Sequence, residues 1–219
     1  MTIPVMVMGP YRTGTSCVAG ILHHLGVHWG SQVGPGDELN PKGYFEDLKF
    51  ANLVRTLYCE GEFQKTGKVD ESLWVEESGR RRWLKEWFDG VKGEGKWKFA
   101  GAKHPMACLA GEDLINALGG NLHVIATNRQ LDDTVASMSK TRWTHGASID
   151  RDMIVSLFTR RDEFLERFKP PVLWLDHDGI QRDPRLAVEA IWDFLRIPVT
   201  CGQFRSAISF VTPAVEAMG

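Results

Sequence analysis

The sequence predicts a three-layer α/β fold, a parallel β-sheet with helices on both faces. Three observations carry that expectation. IPVMVMG (3–9) is a short apolar run closing on glycine, the pattern of a buried parallel strand. LHVIAT (122–127) is a second run of the same kind. Stretches with helical periodicity alternate with the strand-like runs along the chain, as crossover connections require.

The elements follow in order. After the first strand, Val18, Ile21, Leu22 and Leu25 stand at i, i+3, i+4 and i+7, one helical face that Gly26 ends. Residues 30–45 are Gly/Pro-rich and read as a loop. Residues 46–59 read as a helix and the polar stretch 61–69 as a loop. Residues 70–90 carry one or two helices, with RRR at 80–82 on a charged face. WKFAGA (97–102) is a strand followed by a helix over 107–118, which Gly119-Gly120 stops. LHVIAT leads to a helix over about 131–140, and Ile154, Leu157, Phe158, Phe164, Leu165 and Phe168 mark a longer one over 150–168. Pro170-Pro171 ends it, VLWL (172–175) is the next strand, and 184–196 is the last clear helix. No repeat, low-complexity segment or linker interrupts the 219 residues, so a single domain over 1–219 is expected.

Composition bounds the function. The chain is 43% hydrophobic and 25% charged, with a formal net charge of −2. That balance gives no overall attraction to nucleic acid, so any polyanion site must be local. The four cysteines are scattered without a C-x-x-C, which argues against a zinc site and fits a reducing compartment. MTIPVMVMG lacks the basic start of a signal peptide, and no apolar stretch approaches the ~20 residues of a membrane span. A soluble, cytoplasmic protein with no membrane or nucleic-acid partner is expected.

GPYRTGTS (9–16) lies between the first strand and the first helix. It nearly matches the phosphate-loop pattern G-x-x-x-x-G-K-[ST], but Thr15 occupies the lysine position and Arg12 is the one cation. Backbone N–H groups at such a turn are orphan donors, and the helix dipole adds roughly half a positive charge. Gly14 lets the chain curl toward an anion, Thr13, Thr15 and Ser16 add hydroxyls, and Arg12 adds a fork of donors. The alternative is a chance glycine turn. Arg129, at the end of the LHVIAT strand, and Ser137, eight residues on, form a second candidate anion site. C-terminal strand ends share one edge in a parallel sheet, so Arg129 should face the crevice that holds Arg12. Two cationic clamps suit a ligand with two anionic groups. A surface arginine and a solvated helix serine are the plainer reading.

Together these residues resemble the sulfotransferases that use 3′-phosphoadenosine 5′-phosphosulfate (PAPS). GPYRTGTS is similar to that family's P-[KR]-[ST]-G-T-[ST] motif, with Tyr11 at a frequent proline. Arg129, Asp133 and Ser137 match its second motif, with Leu131 at another frequent proline. NPKGYFE (40–46) resembles a stretch of many bacterial members, and LDHDGIQRDPRLAVEAIWDFLRIP (175–198) resembles the family's late segment. The resemblance spans residues 5 to about 198 in family order. The R-K-G loop that grips the 3′-phosphate in the small-molecule members is missing, and Arg205 is the nearest stand-in.

The resemblance implies a sulfotransferase-type fold and transfer of a sulfuryl group from PAPS to a hydroxyl or amine, leaving adenosine 3′,5′-bisphosphate. It assigns Arg12 to the bridging and leaving-group oxygens and Thr13, Gly14, Thr15 and Ser16 to the 5′-phosphate. Arg129 and Ser137 go to the 3′-phosphate, and no metal is needed. Glu46 and His104 are the two candidates for general base, His104 being slightly favoured at neutral pH. A structural histidine and a helix N-terminal carboxylate are the plain alternatives. Lys103 is a candidate helper beside an ordinary solvated lysine, Lys42 deserves the same reserve, and Asp178 is read as structural. Two competing functions stay open: a P-loop kinase with a degenerate loop, and a non-catalytic nucleotide-binding protein. The acceptor, small molecule or glycan, is not readable from sequence, nor is the oligomeric state. Loops over 30–45 and 60–95 are where its pocket is expected.

Overall fold

A computed structural model describes residues 2–38, 40–141 and 144–211. Four strands form one parallel sheet: β1 (Ile3–Met8), β2 (Phe99–Lys103), β3 (His123–Asn128) and β4 (Val172–Asp176), in the order β2-β1-β3-β4. β1 pairs with β2 from Ile3↔Phe99 and with β3 from Val5↔His123; β3 pairs with β4 from Val124↔Val172. The chain runs from β1 to one neighbour and then crosses to the other. That reversal opens a crevice beyond the carboxyl ends of the strands.

Alternation along the strands splits the core into two layers. Val5, Val7 and Ile125 pack with α1 (Thr15–His24), α8 (His177–Arg182), α9 (Pro184–Leu195) and α10 (Cys201–Val211). Met6, Met8, Val124 and Ala126 face the other side. There they meet α2 (Leu48–Leu57), α3 (Glu60–Thr66), α4 (Glu77–Gly93), α5 (Gly111–Leu118), α6 (Leu131–Met138) and α7 (Ala147–Phe168). Val7, Met8, Ile125 and Ala126 are fully buried, as inner strands of a two-sided sheet must be. This is the three-layer α/β arrangement expected from the sequence.

Several elements differ from expectation. The polar stretch 61–69 is not loop at its start. Phe63 is buried among the α2–α7 helices, and that contact holds α3 against its poor periodicity. Residues 71–73 form a 3-10 turn before α4. Pro105–Cys108 is likewise a 3-10 turn, so the helix expected from 107 begins at Gly111. β4 runs on to Asp176, which caps α8 by accepting from Gly179 N–H. Asp183 caps α9 by accepting from Leu186 N–H, with Pro184 in the first turn. The helix α10, unforeseen because its apolar face is short, seats Ala207 and Val211 in the core, and Phe210 lies over Gly20 of α1. All four cysteines are free thiols. No described helix is long and apolar enough to cross a membrane.

Candidate functional site

A cavity of about 670 Å³ lies off the carboxyl edge of the sheet. Every strand end contributes to it. The β1–α1 loop supplies Tyr11, Arg12, Gly14, Thr15 and Ser16; β2 ends in Lys103 and His104; β3 is followed by Arg129 and β4 by His177. Asp37, Asn40, Tyr44 and Glu46, from the Gly/Pro-rich loop and its end, close the opposite wall with Arg55, Glu60 and Gln64. The Gly/Pro-rich loop thus lines this cavity, together with α2 and α3.

The β1–α1 loop is built to expose its amides. Arg12 and Gly14 take left-handed φ values of 65° and 90°, turning the chain into the ten-residue α1. At Gly14 a Cβ would stand 2.9 Å from His177 Cδ2, so the imidazole lies directly over the loop. The Thr13 hydroxyl departs from its expected role. It donates to the Pro10 carbonyl at 2.8 Å and lies 2.8 Å from the Thr127 hydroxyl, fully buried. Thr13 therefore ties the loop to β3, and its side chain does not line the cavity. A Cβ at Gly9 would come within 2.1 Å of the Thr127 hydroxyl, so only glycine allows this closure.

Arg12 and Arg129 share the cavity, as expected. Arg129 donates from a guanidinium NH₂ to the Arg12 carbonyl at 3.2 Å, and Arg12 Nε donates to Ser137 Oγ at 3.1 Å. Ser137 is thus held against Arg12 and is not itself a lining residue. Neither arginine has a carboxylate partner among the described residues, and Arg129 Nε is buried with no hydrogen-bond partner. Behind them, the buried guanidinium of Arg161 donates to the Thr127 carbonyl at 2.7 Å and to Asn128 Oδ1 at 2.9 Å. It fixes the end of β3 from which Arg129 projects.

Lys103 is only 2% exposed, far from the solvated lysine of the plain reading. Its ammonium donates to Ser16 Oγ at 3.0 Å and to Glu46 Oε1 at 2.7 Å. Burial works to raise the Glu46 pKa, but Lys103, His104 and Arg55 outweigh it and hold this carboxyl below the usual range. The pair therefore places one compensated positive charge beside the loop's last hydroxyl.

His104 is 2% exposed, and both ring nitrogens already face donors. Met106 N–H donates to Nδ1 at 3.2 Å, and Arg55 Nε lies 3.2 Å from Nε2. A neutral imidazole has one lone pair in its plane, so no acceptor position is left over. Burial lowers its pKa to about 3. The sequence-favoured base is thus a neutral, structurally committed ring at the cavity wall.

Glu60, which sequence reasoning passed over, sits 8% exposed at the start of α3. The Tyr11 hydroxyl donates to its Oε1 at 2.5 Å, Arg55 Nε lies 3.0 Å from Oε2, and His104 Nε2 stands 3.8 Å from Oε1. Burial raises its pKa, and Glu46 adds to that; the bonds from Tyr11 and Arg55 oppose it without cancelling it. Burial, then the Glu60 charge, push the Tyr11 pKa well above its ordinary value, so the phenol stays protonated. Nothing in the local sequence marks Glu60, because its partners come from three other segments. His177 was also missed; its position right after β4 was the available signal. Arg205 is exposed on α10 and is not among the lining residues. Asp178 pairs with His177 Nδ1 at 2.9 Å.

No family model matches the chain. No curated protein matches it in sequence. Solved structures do match in fold. Sulfotransferase STF9 from Mycobacterium avium is 13% identical with a TM-score of 0.65, over 96% of this chain and 68% of that one. The sulfotransferase domain of the Synechococcus olefin synthase is 14% identical with a TM-score of 0.60, over 92% and 76%. Sulfotransferase STF1 from Mycobacterium tuberculosis is 16% identical with a TM-score of 0.57, over 95% and 71%. The chain has the fold of these bacterial sulfotransferases.

Proposed function

We propose that the protein is a sulfotransferase that uses PAPS and modifies a hydroxyl or amine of a small-molecule or glycan acceptor. One observation carries this reading over a kinase. In P-loop NTPases the loop's Ser/Thr hydroxyl helps hold Mg²⁺. Here the corresponding hydroxyl, Ser16, accepts from the buried ammonium of Lys103. A fixed protein cation stands where that chemistry needs a metal. Donors without protein acceptors support an anionic ligand too: the buried Arg129 Nε lacks a partner, and Arg12 lacks a carboxylate among the described residues.

When bound, PAPS would supply an activated sulfuryl group on a phosphate leaving group. The chain's own groups then divide the work. The amides of Gly14, Thr15 and Ser16 and the dipole of α1 hold the 5′-phosphate. Arg129 binds the 3′-phosphate, with Ser137 as its neighbour through Arg12. Arg12 and Lys103 stabilise charge on the oxygens between phosphorus and sulfur, preorganised before the ligand arrives. Glu46 keeps Lys103 charged and aimed.

The test is transfer of ³⁵S from labelled PAPS to a panel of phenols, sugars and amines without divalent metal. Labelled product is expected, together with a rise in melting temperature on adding adenosine 3′,5′-bisphosphate. A protein stabilised only by Mg-ATP is a kinase. One that binds the bisphosphate without any turnover is a non-catalytic member of the fold.

A further inference from the structure

We propose that Glu60 takes the acceptor's proton during transfer; this rests on the sulfotransferase reading above. In that step a bond forms between the acceptor oxygen and sulfur. The bond from sulfur to the bridging oxygen breaks, its electron pair leaving on the phosphate. The acceptor's hydroxyl proton passes to the Glu60 carboxylate.

Three observations lead to Glu60. The first is elimination at His104: a neutral ring has one in-plane lone pair, and whichever nitrogen carries it already faces a donor, Met106 N–H at Nδ1 or Arg55 Nε at Nε2. The second is elimination at Glu46, whose Oε1 accepts from Lys103 at 2.7 Å. Lys103, His104 and Arg55 together overcome burial and hold its pKa below the ordinary range, against the direction a general base needs. The third is positive. Glu60 lines the cavity, and Tyr11, Arg55 and His104 converge on it; its guanidinium partner, Arg55 at 3.0 Å, is half-exposed, whereas the Lys103 ammonium on Glu46 is buried. The two oxygens of a carboxylate offer about four acceptor sites, so room for a proton is left. The charged and titratable groups around it are Tyr11 from the β1–α1 loop, Arg55 from α2, His104 from the end of β2 and Glu46 before α2. Burial keeps its proton affinity above that of an ordinary glutamate, the direction a general base needs. Tyr11 makes a further link: the same loop that cradles the donor also fixes the carboxylate that faces the acceptor.

The experiment compares wild type, Glu60→Gln, Glu60→Asp and Glu46→Gln on labelled PAPS with two acceptors, phenol and pentafluorophenol. Phenol must lose a proton during transfer; pentafluorophenol is already ionised at neutral pH. Glu60→Gln is expected to lose about 100-fold with phenol and only a few-fold with pentafluorophenol. Its thermal shift with adenosine 3′,5′-bisphosphate should match wild type. Glu60→Asp, which keeps a carboxylate, should recover part of the phenol rate. PAPS hydrolysis, with water as acceptor, should fall about 100-fold in Glu60→Gln as well. Equal losses with both phenols, no loss with either, or the phenol-selective loss appearing in Glu46→Gln instead would overturn the assignment while leaving the sulfotransferase reading intact. A wild type that binds no bisphosphate and neither transfers nor hydrolyses overturns both.

Discussion

Two cavities formed by the described residues are rich in arginine, and they differ in whether all of those arginines already meet a carboxylate of the protein. The smaller, about 340 Å³, is walled by Arg80, Arg81, Arg160 and Arg167. Each of those cations has an acid of the same chain. Arg80 Nε meets Asp113 Oδ2 at 2.5 Å, Arg81 Nε meets Asp113 Oδ1 at 3.2 Å, and Arg167 reaches Glu112 at 3.1 Å. Arg160 pairs with Glu71. The Tyr58 hydroxyl completes Asp113 at 2.7 Å. In the larger cavity Arg12 and Arg129 donate to a serine and a carbonyl and meet no carboxylate among the described residues. The number of arginines is not the signal. What separates the two is whether the chain has already supplied the counter-charge, and so whether a ligand must.

Breaking each cavity in turn should give opposite phenotypes. Arg80→Ala strands Asp113, which is 4% exposed, beside a single remaining guanidinium. A loss of about 3 kcal/mol in urea unfolding is expected, with the affinity for adenosine 3′,5′-bisphosphate unchanged. Arg129→Ala should do the reverse. It removes charge-assisted bonds of about 1.5–3 kcal/mol, so bisphosphate affinity measured by calorimetry drops about 10- to 100-fold while unfolding barely moves.

A third test sharpens the comparison inside the larger cavity. The His104 pKa is lowered from the ordinary 6.5 to about 3. Between those values the unfolded chain binds more protons than the folded one, so stability falls as pH drops below 6.5. The contribution is about 2 kcal/mol by pH 5. His104→Asn, which can still accept from Met106 N–H, should lose less stability than wild type over that range in denaturant titrations. Equal acid sensitivity would place the ring in water rather than in the wall. The smallest effect is expected at Arg205→Ala, with bisphosphate affinity within about two-fold of wild type, as for surface substitutions generally.

The frame of the fold was legible because its signals are local. The apolar runs at β1 and β3, the glycine turn at 9–14 and the periodicity of α1, α7 and α9 each need only their own neighbours. So was the shared edge of Arg12 and Arg129, since parallel strand ends must meet there. What stayed hidden depends on partners far apart in the chain. Lys103 looked ordinary until Ser16 and Glu46 were found on it, 87 and 57 residues away. Glu60 falls between a stretch read as helix (46–59) and one read as loop (61–69), and its importance comes from Tyr11, Arg55 and His104. RRR at 80–82 looked like a surface run because Asp113 is about 30 residues on, 33 from Arg80. Thr13 matched a motif by type, yet its hydroxyl faces the core because the closure against Thr127 claims it.

The central claim is that the larger cavity takes a doubly anionic adenosine nucleotide through Arg12 and Arg129 without a metal. Calorimetric titration of adenosine 3′,5′-bisphosphate into the wild type, Arg12→Ala and Arg129→Ala in chelator-treated buffer tests it most directly. The account predicts one site on the wild type, weakened about 10- to 100-fold by either substitution. Binding of Mg-ATP but not of the bisphosphate, or bisphosphate binding indifferent to both substitutions, would contradict it.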